Sequence, residues 1–314
     1  MDTSSHENFP QLNTVEGFYF DTRNTISAYA ELETINQVMQ RCSYYNDLLS
    51  KTVPGSDVWK INHAGGEPVQ VSAHTLQILQ TAASVSEASQ GAFNIAIGQA
   101  VSLWRFKDQQ PRLPDPQALA DAVARADYRK IELDGDLVRV PADMQIDLGG
   151  IAKGYIADCI ADELRELGVT SALLNFGGNV ITIGGKPDGS AWQVGLQTPA
   201  GKRGADFWAA VPSRDSTVVT SGMYERGFDI DGVRYHHILD PRTGWPIQNG
   251  LLTVTACTKS SLLADVLTTA IFVLGAEAGM QLAHQFGVQA VLLFKDGKVT
   301  YSSGLDIVFV RPKD

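Results

Sequence analysis

The sequence predicts an α+β fold, with mixed helices and antiparallel sheets arranged as two interwoven subdomains. Helical and strand patterns mix along the chain without the regular alternation of a Rossmann or barrel fold. Turn pairs such as Asp134-Gly135 and Asp296-Gly297 sit between apolar runs, a hairpin signature that implies antiparallel pairing. With 314 residues and 44% hydrophobic content the chain can bury a large core, and no repeat, low-complexity segment or linker divides it. The polar start is read as a disordered tail over residues 1–14, and 15–314 as a single domain.

Beyond the tail, a strand is expected through Gly17-Phe18-Tyr19-Phe20 toward Ile26. Leu32, Ile35, Met39, Cys42, Tyr45 and Leu49 then recur at helical spacing. Pro54-Gly55-Ser56 breaks that helix, and SDVWKIN with its Ala64-Gly65-Gly66 turn leads into a short strand over Val69 to Val71. Ser72 is an N-cap for a helix to about Ala88, and another apolar segment reaches Trp104. Lys107 to Pro116 reads as a surface loop, closed by Asp115-Pro116 as N-cap and first residue of a helix to about Ala126. IELDGDLVRV is a hairpin, and a strand-like approach through Ile146 follows it. A helix then runs from Lys153 to near Gly168. The rest is mostly strands, SALLNF, VITIG, AWQVGLQ, FWAAV, STVVTSG and LLTVTAC, before helices over Ser260 to Leu274 and Ala276 to Phe286 and a closing hairpin.

A net charge of −10 argues against a duplex nucleic-acid partner, because phosphate binding needs a basic face. Three widely spaced cysteines, Cys42, Cys159 and Cys257, indicate neither a disulfide framework nor a structural zinc site. No run approaches a membrane span, and the start has no basic n-region or apolar h-region. The expected location is cytoplasmic as the sequence stands, with an exported form if a leader has been removed.

Three constellations carry chemistry. In IDLGGIAKGYIAD, from Ile146 to Asp158, a glycine turn opens a helix, and unpaired N–H groups at a helix start favour an anion; the alternative is a structural turn with Asp147 capping the helix. In RYHHILDPRTGWP, a histidine beside a tight turn could serve as a general base near neutral pH. Strand alternation alone would instead bury one of His236 and His237 and turn the other to water. Third, Asp265 and Thr269 stand i and i+4 on an otherwise apolar helix, oxygen donors that suit a hard cation such as magnesium. The alternative there is Thr269 bonding back to its own helix and Asp265 serving as a cap or ion-pair partner.

Taken together, the chain resembles the ApbE family of FAD:protein FMN transferases. The resemblance rests on Ser56-Asp57 with Ile61-Asn62, Gly91-Ala92-Phe93, Asp147 through Gly154, Gly177-Gly178-Asn179, Thr220-Ser221-Gly222 with Tyr224-Glu225-Arg226, His237 through Gly244, and Ala264-Asp265 with Thr269-Ala270, in family order. It implies an ApbE-like, T-fold-like domain that uses Mg2+ to transfer FMN from FAD to a threonine or serine hydroxyl of a partner protein through a phosphoester, releasing AMP. By motif position it implies Gly150, Asp265 and Thr269 as metal ligands and His237 as the base. Phe20, Ala92, Phe93, Asn94, Asp147, Lys153, Ser221, Gly222 and Leu239 would contact FAD. The implied partner is an acceptor flavoprotein or flavoprotein subunit, with no nucleic acid and no membrane span.

Two departures touch the flavin side. Phe20-Asp21-Thr22 stands where many members have Met-Gly-Thr, and Asn94 where Gly-Ala-Phe-Asp is usual. An FAD pyrophosphatase, giving the phosphoryl group to water, and a non-catalytic flavin-binding protein therefore stand beside the transferase reading.

Overall fold

The computed structural model describes residues 11–106, 111–199, 201 and 204–310; most of the expected tail and residues 107–110 of the expected surface loop lie outside the described residues. The chain opens on a hairpin of β1 (Asn13–Tyr19) and β2 (Thr22–Ala28), so the first strand starts two residues inside the segment read as tail. Phe20 and Asp21 turn this hairpin with φ of 56° and 59°, a left-handed pair usually given to glycine or asparagine. That unusual chemistry is why a single strand was expected here.

Helix α1 (Leu32–Leu49) follows the expected periodicity and buries Ile35, Val38, Met39, Cys42, Tyr45 and Leu49. The stretch after the Pro-Gly break is itself a helix, α2 (Asp57–His63), with Ser56 as N-cap accepting the Trp59 N–H. A two-residue β3 (Val69–Gln70) leads to α3 (Ala73–Ala88), where Ser72 caps as expected by accepting the Thr75 N–H. Next come α4 (Gly98–Trp104) and α5 (Pro116–Arg125), the latter with the expected Asp115 cap and leading proline. The expected hairpin is β4 (Glu132–Asp134) and β5 (Leu137–Arg139).

The approach to Asp147 is not a strand. Asn62 takes its place as a neighbour: its Nδ2 donates to the Ile146 carbonyl at 2.9 Å and its Oδ1 accepts the Ile146 N–H at 2.8 Å. Helix α6 (Ala152–Glu166) then opens, and the strands β6 (Ala172–Phe176), β7 (Asn179–Ile183), β8 (Trp192–Gln197), β9 (Phe207–Ser213) and β10 (Thr217–Gly222) succeed it. A hairpin of β11 (Gly227–Ile230) and β12 (Val233–His236) precedes β13 (Leu251–Thr258), α7 (Ser261–Leu274), α8 (Ala276–Gln285), β14 (Gln289–Phe294), β15 (Val299–Tyr301) and β16 (Val308–Phe309).

Eight strands form one antiparallel sheet in the order β1-β2-β6-β7-β10-β13-β14-β15. The main core lies where α1 packs on β1 and α6, α6 on β7 and α7, and α7 on β10 and β13. Adjacent residues of β10 serve opposite faces, as period-two geometry requires: Val219 joins that core, while Val218 packs with Val194, Leu196, Ala209 and Val211 of the small sheet β16-β9-β8. The segment from α2 to β5 leaves the large sheet and returns at α6, so the chain weaves between regions as expected. The fold is α+β with every strand pairing antiparallel.

Candidate active site

The crossing of α6 and α7 builds the centre of the site. Gly154 permits it: a Cβ there would lie 2.2 Å from the Ser261 carbonyl oxygen and 2.7 Å from the Asp265 Cβ. At that contact the two helices exchange caps. The N-cap position of α6, Ile151, offers no side-chain acceptor, and Asp265 of α7 supplies one by accepting the Gly154 N–H at 2.9 Å. In return Asp158 of α6 accepts the Ser261 N–H at 2.8 Å and the Leu262 N–H and Ser260 hydroxyl at 3.0 Å each. Burial outweighs these bonds and raises the Asp158 pKa.

Asp265 is 3% exposed, and the Lys153 ammonium stands 3.4 Å from each of its carboxylate oxygens. One turn further along α7, Thr269 meets the glycine turn that precedes α6. A methyl group built on Gly150 would touch the Thr269 Oγ1 at 3.5 Å and the Phe93 ring at 3.4 Å. Residues 93, 150, 153, 265 and 269, expected at the site from three segments, are thereby gathered. Among the described residues no three His, Cys, Asp or Glu side chains converge on a possible metal position. Asp265 and Thr269 thus bring one carboxylate and one hydroxyl to this crossing, oxygen donors of the kind a hard cation accepts beside water and phosphate.

His237 is held by Arg226, whose carbonyl accepts both the His237 N–H at 3.1 Å and the ring Nδ1–H at 3.2 Å. With Nδ1 as donor, Nε2 carries the free lone pair. His237 as a residue is half-buried, in a recess that protein lines closely. Desolvation there, with the positive charges of Arg226 and Lys153, drives its pKa well below the ordinary range. The adjacent His236 is fully buried and neutral, with Nε2 bonded to the Ile247 carbonyl at 3.0 Å and Nδ1 accepting the Ile238 N–H. Alternation thus separates the two rings, one into the core and one into the recess.

The remaining expected residues take varied places. Asp147 is not a helix cap. Its Oδ1 accepts the Gly149 N–H at 2.7 Å, tightening the turn, and its Oδ2 pairs with Lys51 at 2.6 Å. Asn94 is 8% exposed and structural: Nδ2 donates to the Ala126 carbonyl and Oδ1 accepts the Ala96 N–H, both at 2.8 Å. Ala92 and Phe93 are buried beside it. Phe20 sits in the hairpin turn, where its carbonyl accepts from Arg226 at 3.4 Å, which links that turn to the histidine loop. Ser221 shares a 2.9 Å hydrogen bond with Thr268, whose own proton goes to the Asp265 carbonyl, so Ser221 is the donor and keeps only acceptor capacity. Gly222 leaves room for the Tyr224 ring. Leu239 is buried against Trp104, Leu119 and Phe228, so its side chain is not available to a ligand.

Lys51, Asp158 and Arg226 went without roles in the sequence reading. Asp158, an acid inside an apolar helical pattern, carried a usable signal. Lys51 carried none, because its partner is remote in sequence.

The ApbE family model matches residues 20–292. A Klebsiella pneumoniae protein named FAD:protein FMN transferase is 40% identical over 276 residues, covering 85% of this chain and 84% of its own length. A Treponema pallidum protein of the same name is 38% identical over 304 residues, with 91% and 83% covered. Among solved structures, the ApbE protein of Thermotoga maritima matches at a TM-score of 0.85 and 30% identity, covering 93% of this chain and 97% of its own. The apo form of Pseudomonas stutzeri flavinyl transferase ApbE matches at 0.81 and 29%, covering 93% and 95%. With most of its length matched in sequence and in fold, the chain belongs to the ApbE family.

Proposed function

We propose that the protein is an FAD:protein FMN transferase that moves FMN from FAD to a threonine or serine hydroxyl of an acceptor protein and releases AMP. The observation that carries this reading is the meeting of Gly150, Lys153, Asp265 and Thr269 at one helix crossing. It is supported by the names of the relatives.

Phosphoryl transfer needs positioning and charge neutralisation. Asp265, Thr269 and the Gly150 main chain would hold Mg2+, which when bound neutralises charge on the pyrophosphate. Lys153 places a second positive charge beside it. His237 Nε2, kept unprotonated by desolvation and nearby cations, takes the acceptor hydroxyl proton. The hydroxyl oxygen bonds to the FMN phosphorus, the P–O bond to AMP breaks, and AMP leaves. Arg226 orients the imidazole through its carbonyl and so fixes which nitrogen is the base. Because His237 is only half-buried, an FAD pyrophosphatase reaction, with water in place of the hydroxyl, is the second reading.

The test incubates the protein with FAD, Mg2+ and an acceptor that natively carries FMN on threonine or serine, following AMP release and acceptor mass. FMN on the acceptor is expected. AMP with free FMN alone would favour the pyrophosphatase, and intact bound FAD would exclude both. His237→Ala should lower transfer on the order of 10²–10⁴-fold, the usual size of a lost general base. Asp265→Ala should abolish metal-dependent turnover, and wild-type rates in that variant would remove the metal site.

A further inference from the structure

We propose that Lys153 and the divalent cation compete for the Asp265 carboxylate, and that a substrate pyrophosphate settles the competition by drawing the ammonium to itself. This rests on the metal-site reading above. Lys153 would then be the element that makes metal and FAD bind together, each weakly alone.

The geometry sets up the competition. The ammonium is equidistant from both Asp265 oxygens at 3.4 Å, so it straddles the edge of the carboxylate that a cation would use. Charge-assisted N–H···O bonds close to about 2.7–2.9 Å, so this pair is loose. Asp265 cannot turn away, because Gly154 N–H fixes its Oδ2 at 2.9 Å and the residue is buried. Lys153 can move: its side chain retains 21% of its surface and rides on a flexible four-carbon stem.

A cation at Asp265 therefore meets the Lys153 charge within a few ångströms for as long as the ammonium stays there, in surroundings less screening than water. Among the described residues no three His, Cys, Asp or Glu side chains gather here, so no dense negative cluster offsets that repulsion. Asp147, the other acid of the glycine turn, is already paired with Lys51. A pyrophosphate at the start of α6 changes the balance. Lys153 lies in the first turn of that helix, where a bound anion is favoured, and its ammonium can reach such an anion while leaving Asp265 to the metal.

The two ligands should respond to Lys153 in opposite directions, which a misfolded variant cannot imitate. Mn2+ binding to the FAD-free protein is measured by electron paramagnetic resonance, and FAD binding in excess EDTA by quenching of flavin fluorescence. Lys153→Met should bind Mn2+ about tenfold tighter than wild type, a modest share of the repulsion removed. The same variant should bind metal-free FAD more weakly, while Lys153→Arg stays near wild type in both. Mn2+ binding no tighter in Lys153→Met overturns the competition. Asp265→Asn serves the other question: if it leaves Mn2+ binding unchanged, the metal site itself is wrong, and if it abolishes binding, the Lys153 result stands as a test of the competition alone.

Discussion

Asn94 shows how much one side-chain atom can decide. Its amide donates to the Ala126 carbonyl and accepts from the Ala96 N–H, and only the second bond is open to a carboxylate. Asn94→Asp should therefore destabilise the protein by about 1–3 kcal/mol, by leaving a buried carbonyl without its donor and placing a charge against it. Urea unfolding at neutral pH checks this, and equal midpoints would show that the amide is not needed. Lys51, too, acts at this scale. It neutralises Asp147 across the site, so the acid that shapes the glycine turn is not a lone negative charge facing a substrate phosphate.

At the scale of elements, the paired helices α6 and α7 build the candidate site. Each caps the other, through Asp158 and Asp265, and the close approach at Gly154 brings Asp265 within reach of the α6 N-terminus. Gly154→Ala should push the helices apart, because its methyl would fall 2.2 Å from a main-chain oxygen that cannot yield without moving α7. A loss of about 3 kcal/mol is expected, at the upper end of overpacking costs. Chemical denaturation reads it, and a variant as stable as wild type would show that the crossing is not tight. Helices α1, α3 and α5 were legible in the sequence because periodicity and caps are local. The β1–β2 turn was not, since Phe20 and Asp21 adopt left-handed backbone without a residue that advertises it. Nor was the loop before Asp147, whose backbone bonds go to the Asn62 side chain and to the main chain of Ile95 and Gly98, all remote in sequence.

Over the whole molecule, folding stability should carry the signature of His236. Burial lowers its pKa from 6.5 to about 4. Below pH 6.5 the unfolded chain takes up a proton at this position while the folded one does not until about pH 4. The unfolded state thus binds more protons in that window, so stability falls as pH drops through it and is unaffected above it. The contribution should reach about 3 kcal/mol at the acid end. His236→Gln should reduce the slope of this part of the pH profile in denaturant melts, the remainder coming from the desolvated His237, and an unchanged slope would show that His236 is not a source of it. The same ring closes the end of β12 against Ile247 and Phe272, so acid loosening would begin beside the His237 recess.

The sequence by itself determined most of the helices with the Ser72 and Asp115 caps, the mixed α+β class of the fold, the family resemblance, and the residue types needed for a cation and a base. These are local signals of periodicity, turn chemistry and motif order, carried by neighbours in the chain. Only the tertiary structure decided that Asp265 caps α6 while facing Lys153, that Asp158 returns the cap, that Lys51 holds Asp147, and that the Arg226 carbonyl sets the tautomer of His237. Most of these contacts join residues about a hundred positions apart, or rest on a hairpin's register. They form because burial of the helices against the sheet brings the polar groups together, and a buried charge must then find a partner from whatever segment lies opposite.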